Sequence, residues 1–360
     1  MRFLVFVVSF FVCSLAISQN KSQPKTDSLL ARLKLVSGAP RAEILAGLAK
    51  LALPSHLDSA VKMINEAVSI YDGQQNDTAV FVLYLNFARV LRQKGKGELG
   101  LQYAYKAKSL KSDQLKTHHF QLLLYNELAG MHYNFKNNYD STLYYDKEAL
   151  TVADDSLNRG LVLNWTGLCY NSLGMTVKAL ECYILAIPLL EKKAKPSVVG
   201  SLYNNMGILY EDDGNNAKAE QYYKKATDLY KISGNKQGEF NLLNNLGILY
   251  DHQHRYEESL EALAEAAKLL PSLPAEIEAG ILDLNVGNTL THMNKASEAI
   301  LRFEKAMKVF VKIEDNYGIT LCHRQLGEAM LKITRYKDAE TEELIALKSA
   351  KKNTDTLRSM

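Results

Sequence analysis

Between residues 200 and 239 the apolar positions fall with helical spacing. Leu202, Tyr203, Met206, Leu209 and Tyr210 recur three and four apart, as on one face of an amphipathic helix. Asp213-Gly214-Asn215-Asn216 supplies turn chemistry, after which Ala219, Tyr222, Tyr223, Ala226, Leu229 and Tyr230 resume the same spacing. Ser233-Gly234-Asn235 breaks the pattern again. The stretch predicts helix, turn, helix, loop, and no alternating run along the chain predicts a strand.

This block repeats. Asn204-Asn205-Met206-Gly207-Ile208-Leu209-Tyr210 returns as Asn244-Asn245-Leu246-Gly247-Ile248-Leu249-Tyr250, 40 residues on. Leu284-Asn285-Val286-Gly287 and Arg324-Gln325-Leu326-Gly327 continue at the same interval, and Asn164-Trp165-Thr166-Gly167 precedes. Looser copies centre on Gly130, Ala88 and Leu48. A period near 40 predicts a repeat architecture of about eight helix-turn-helix units. Small residues stand 12 and 19 positions after each central residue, as in Ala179 and Ala186, Ala219 and Ala226, or Ala299 and Ala306. Gly inside a helix costs about 0.8–1.0 kcal/mol relative to Ala. Its recurrence implies two helices packed too closely for a larger side chain. Position 16 after the central Gly, read as Tyr183, Tyr223, Leu263, Phe303 and finally Glu343, is expected to pack on the next unit. On that reading Glu343 caps the array with a charge, Asp146 is an exception, and the array ends near residue 351. Descent from a longer architecture stays open.

Gly or Ala in the first helix, an aromatic three residues later and small residues at plus 12 and plus 19 resemble the tetratricopeptide repeat. The longer period is similar to that of kinesin light chains, and the opening Asp27-Ser28-Leu29-Leu30-Ala31-Arg32-Leu33 to exported sensor proteins of Bacteroidetes. The resemblance implies an all-α, right-handed superhelical solenoid. Its expected organisation is a lead-in at 19–40 and repeats near 41–80, 81–122, 123–159, 160–199, 200–239, 240–279, 280–319 and 320–353, with a tail at 354–360. It also implies that the first helix of each unit lines a concave groove. Two residues before the centre, Asn86, Trp165, Asn205, Asn245, Asn285 and Gln325 would then form a column. Members that bind extended peptides use Asn there, because an amide can both donate to and accept from a peptide backbone. The competing expectation is that these residues hold helix ends or one another. Trp165 is either a binding anchor or packing between units. Asp212, His252, His292 and Lys332 form a second column, expected at the groove rim. Ala88, Gly130, Gly167, Gly207, Gly247, Gly287 and Gly327 are structural.

Composition narrows the function. Net charge is +3 with both signs interspersed, which gives no footprint for nucleic acid. No phosphate-cradling loop, nucleophile elbow or His-Glu-x-x-His helix occurs, so no catalytic residue, cofactor or metal site is expected. His252 and His254 fall short of the three or four converging ligands that a metal needs. Arg2, the apolar run Phe3–Ile17 and Ala16-Ile17-Ser18 form a signal peptide over 1–18, cleaved before Gln19. The expected mature chain is secreted or periplasmic, with no stable membrane insertion. It would retain Cys169, Cys182 and Cys322, of which the first two could bridge or stay free. The leading expectation is a non-catalytic scaffold for a protein or peptide partner. The alternative is a periplasmic ligand-sensing input module of a histidine kinase or transcription regulator.

Overall fold

The computed structural model describes residues 19–358 except 54, 274 and 275, so the expected signal peptide lies outside the described residues. Every regular element among the described residues is helical. One compact unit runs to Leu189 and a second begins at Leu190. In the first, α1 (Gln19–Leu33) leads into the hairpins α2 (Gly38–Ala52) with α3 (Leu57–Gly73), and α4 (Asp77–Gln93) with α5 (Gly97–Ser109). Then come α6 (His118–Lys136) with α7 (Tyr139–Val152), and α8 (Ser156–Ser172) followed by α9 (Thr176–Leu190). The second unit pairs α10 (Pro196–Asp212) with α11 (Asn216–Ser233), and α12 (Lys236–His252) with α13 (Tyr256–Ala267). It continues with α14 (Glu276–His292) and α15 (Ala296–Lys312), then α16 (Asn316–Lys332) and α17 (Tyr336–Arg358). Helix α17 takes in residues 354–358, so that part of the expected tail is helical.

Local chemistry sets the helix ends. The side chains of Asn76, Asn138, Asp155, Asn215, Asn235 and Asp315 accept backbone N–H groups at helix starts. In the turns, Gly174, Gly214, His254, Asn294 and Thr334 occupy the left-handed region, one residue per 40. Glycine adopts that conformation freely, whereas a β-branched Thr334 at φ 60° is strained. His254 is thus a turn residue, its Nδ1 2.8 Å from the Tyr256 hydroxyl.

The central glycines are contact points, and here one expectation is corrected. The residue 16 positions on does not serve only the next unit; it covers the glycine of its own hairpin. A Cβ built on Gly207 would lie 2.4 Å from the Tyr223 ring. The same holds for Gly167 under Tyr183 and Gly287 under Phe303, also at 2.4 Å, and for Gly247 under Leu263 at 2.7 Å. The helices therefore meet with an aromatic or Leu side chain lying flat on bare backbone, and the small residues at plus 12 and plus 19 are buried. Gly130 departs from this pattern, since its nearest neighbour is the Arg92 guanidinium at 3.5 Å. At Gly327 the covering group is the flexible Glu343, whose Cγ would stand 3.1 Å from an added Cβ.

Asp146 takes the covering position in its own hairpin and is almost fully buried. Thr166 Oγ1 lies 2.9 Å from Val162 O and 3.2 Å from Asp146 Oδ2. The hydroxyl has one proton, so both contacts are hydrogen bonds only when Asp146 is itself protonated and donates. Burial agrees, pushing the Asp146 carboxyl up to about 7, against a smaller opposing effect of Thr166. The three thiols are free, Cys169 and Cys182 included. Burial pushes Cys169 and Cys322 up to about 12 and Cys182 up to about 11.

The glycine contacts and the buried carboxyl both bear on stability. Gly207→Ala gains about 1 kcal/mol of helix propensity but meets a ring that cannot retreat, for a net loss of about 1–2 kcal/mol by urea denaturation. Gly327→Ala, facing only Glu343, should be neutral or stabilising. For Asp146, a folded pKa raised above its unfolded value removes stability as pH rises from about 4 to about 7. Asp146→Asn should therefore raise the melting temperature at pH 8, and the gain should shrink toward pH 4.

Candidate functional site

In the second unit the first helices α10, α12, α14 and α16 carry the columns expected for a groove. Asn205, Asn245, Asn285 and Gln325 are all half-buried. Two of them are already engaged. Asn245 Nδ2 donates to Asn204 Oδ1 at 3.3 Å, and Asn285 Nδ2 donates to Asn244 Oδ1 at 2.8 Å. Asn205 also has an interaction partner. The amides thus form rungs between consecutive first helices, each bond contributing about 1 kcal/mol.

A second row of rungs runs parallel. His252 Nδ1 stands 3.6 Å from Glu211 Oε1, and His292 Nδ1 lies 2.9 Å from both carboxylate oxygens of Asp251. Glu211 also accepts from the Tyr223 hydroxyl at 2.7 Å, which joins α10, α11 and α12 through one carboxylate. The polar contact with Glu211 raises the His252 pKa, and the hydrogen bond to Asp251 raises that of His292, in each case against desolvation. Asp212 is exposed, and its pKa is raised by desolvation and then by Glu211. Lys332 is exposed at the end of α16. The rim column therefore splits into two histidines fastened to the preceding helix and two flanking charges. The fastening carboxylates Glu211 and Asp251 lie one residue outside the 40-residue columns, which is why the sequence columns passed over them.

Glu220 makes a further link on the second helices. It accepts from Lys224 at 2.6 Å, Arg255 Nη1 at 2.8 Å and the Tyr250 hydroxyl at 3.1 Å. Burial opposes ionisation, yet these donors hold the carboxyl at about 2.

In the first unit Asn86 and Trp165 sit on α4 and α8, both exposed, Trp165 by 51%. An indole half in water on a first helix suits contact with a partner better than core packing. Among the described residues, no group of three or more His, Cys, Asp or Glu is placed to hold a metal ion. No helix among them is long and apolar enough to cross a membrane.

The histidine rungs make stability depend on pH. A folded His pKa above the unfolded one contributes stability that is complete below about 6.5 and is lost as pH rises through the folded value. The charged groups facing His292 are Asp251, Glu328 and Lys332. His292→Gln should lower the melting temperature at pH 6 and change it little at pH 9, with solvent exposure keeping the effect small.

Residues 198–272 match the family model described as Tetratricopeptide repeat. No curated protein matches the chain. Among solved structures, the chain is similar to a signal transduction ATPase with numerous domains and a tetratricopeptide repeat sensor from Pyrococcus horikoshii. The TM-score is 0.64 at 14% identity, over 92% of this chain and 54% of that one. It also resembles a Rap protein complexed with competence and sporulation factor, with TM-score 0.56 and 14% identity over 75% of this chain and 76% of the other. The Cut9-Hcn1 hetero-tetramer of the APC/C gives TM-score 0.54 and 15% identity over 87% and 57%. At such identity the likeness shows the fold. Family model, glycine-centred hairpins and structural likeness agree that the chain is built of tetratricopeptide-type repeats, with residues 198–272 matched directly.

Proposed function

We propose that this chain is an exported, non-catalytic scaffold that holds an extended peptide segment of a protein partner along the first-helix face of its second unit. The carrying observation is the half-buried amide column Asn205, Asn245, Asn285 and Gln325, one residue per repeat on successive first helices. Amides in such a row can engage the N–H and C=O groups of an extended backbone irrespective of side-chain identity. The Rap protein complexed with competence and sporulation factor lends the reading support by fold alone. Trp165, exposed in the first unit, offers a separate aromatic anchor. Export rests on the apolar run and small-residue cleavage site at the start of the sequence.

A sensing role for the same face is the second reading. It is favoured by the His252–Glu211 and His292–Asp251 contacts, which couple the spacing of consecutive first helices to any ligand that touches them. The two roles part once the ligand is bound. A scaffold keeps its helix spacing, whereas a sensor would pass a change of spacing to a separate membrane protein.

Crosslinking in the native envelope, with mass spectrometry of the captured chains, should yield a polypeptide partner. Changing Asn205, Asn245, Asn285 and Gln325 together to Ala should cut that capture by about tenfold or more. Unchanged capture would remove the column from the mechanism. N-terminal sequencing of the mature chain should begin at Gln19.

A further inference from the structure

The two rows of rungs stop at the same place. From α10 to α12 to α14, residues 41 apart bond in both rows: Asn204 with Asn245, Asn244 with Asn285, Glu211 with His252, and Asp251 with His292. At the step from α14 to α16 the acceptors are gone. Leu284 stands where Asn204 and Asn244 stood, and Thr291 where Glu211 and Asp251 stood. The Thr291 hydroxyl donates instead to Gly287 O at 2.9 Å within its own helix. Gln325 and Lys332, which inherit the donor positions, make no side-chain hydrogen bond or ion pair with any described residue. On α14, one turn beyond the last amide rung, the side-chain oxygen of Asn288 is buried without a donor. The same register holds Ile208 and Ile248 in the two preceding repeats, so an apolar residue fits this position. A buried, unpaired acceptor costs stability, and in a native fold it needs an explanation.

The geometry points to the α14–α16 step as the place where a ligand is read, with the upstream rungs holding the face in shape. Resting on the peptide-binding reading above, this assigns Asn288, Gln325 and Lys332 to an extended acidic peptide segment. A ligand backbone N–H donates to the Asn288 side-chain oxygen. The Gln325 amide meets the ligand backbone, and a ligand carboxylate pairs with Lys332. Gln325 and Lys332 are two helical turns apart, about 10 Å along α16. That matches about three residues of extended chain. Charge agrees, since Arg324 and Lys332 outweigh Glu328 on the exposed part of α16.

The test pans a display library of random decapeptides against the intact chain and measures the selected peptides by fluorescence anisotropy. Selected sequences should be enriched in Asp or Glu. Asn288→Leu should raise the melting temperature while weakening binding about tenfold, and Gln325→Leu and Lys332→Gln should weaken it comparably. Asn204→Leu, which cuts a rung, should lower the melting temperature and leave affinity within about twofold. A gain in stability with loss of binding is a signature that a purely structural Asn288 would not give. Peptides without acidic enrichment, or binding indifferent to Asn288→Leu and Lys332→Gln, would overturn the assignment and leave peptide binding by the face intact. Failure to select any peptide would bring down the proposed function and this assignment with it.

Discussion

The closest approach of the two helices in a hairpin is set by a side chain laid on a glycine. Tyr183 on Gly167, Tyr223 on Gly207, Leu263 on Gly247 and Phe303 on Gly287 each occupy space that a single methyl group would deny them. Close contact over bare backbone fixes the rotation of both helices about their axes as well as their separation. With the glycine turned inward, the residues 12 and 19 positions later are driven into the interface, where only Ala, Ser, Thr or Gly fits. The same rotation leaves the residues two before the glycine half-exposed in the second unit. The candidate binding face is therefore a geometric by-product of the packing.

Polar side chains on that face do two different jobs. A rung such as Asn285 to Asn244 satisfies donor and acceptor together and fixes the pitch between consecutive repeats. A group such as the Asn288 side-chain oxygen has nothing to satisfy it. The two kinds are alike in sequence, both being asparagines of α14, and differ only in whether the neighbouring repeat supplies a partner. Electrostatics obeys the same division. Glu211 and Asp251 are offset by His252 and His292, so formal charge at the face is concentrated on the unpaired positions at either end.

Much of this architecture was legible from residues alone. Helices follow from the three-and-four spacing, and the repeat from the return of Asn-Asn-x-Gly-Ile-Leu-Tyr. The burial of Ala219 and Ala226 follows from their fixed distance to Gly207. Direction was the part that escaped. Sequence spacing shows that Tyr223 is a large contact residue but not that it turns back onto its own glycine, because that depends on the hairpin's crossing geometry. The rungs escaped for a related reason. Columns drawn at the repeat length align equivalent residues, whereas bonded residues are offset by one, since neighbouring helices present different faces to each other. Asp146 was visible as an anomaly in the covering position, and only the proton inventory at Thr166 explains how a carboxyl is tolerated there.

The left-handed turn residues have a consequence for cooperativity along the second unit. Gly214 bends its chain at no steric cost, His254 and Asn294 at modest cost, and Thr334 at the highest, with its branched Cβ crowded against the backbone. The hairpin closed by Thr334 is also the one whose glycine lies under a solvated carboxylate instead of a ring. Strain at the bend and a weak seam between the helices thus coincide in a single hairpin. Opening there releases torsional energy and forfeits little packing, so amide protons of α17 should be the first in the unit to exchange with solvent while the glycine-turned α10–α11 pair stays closed.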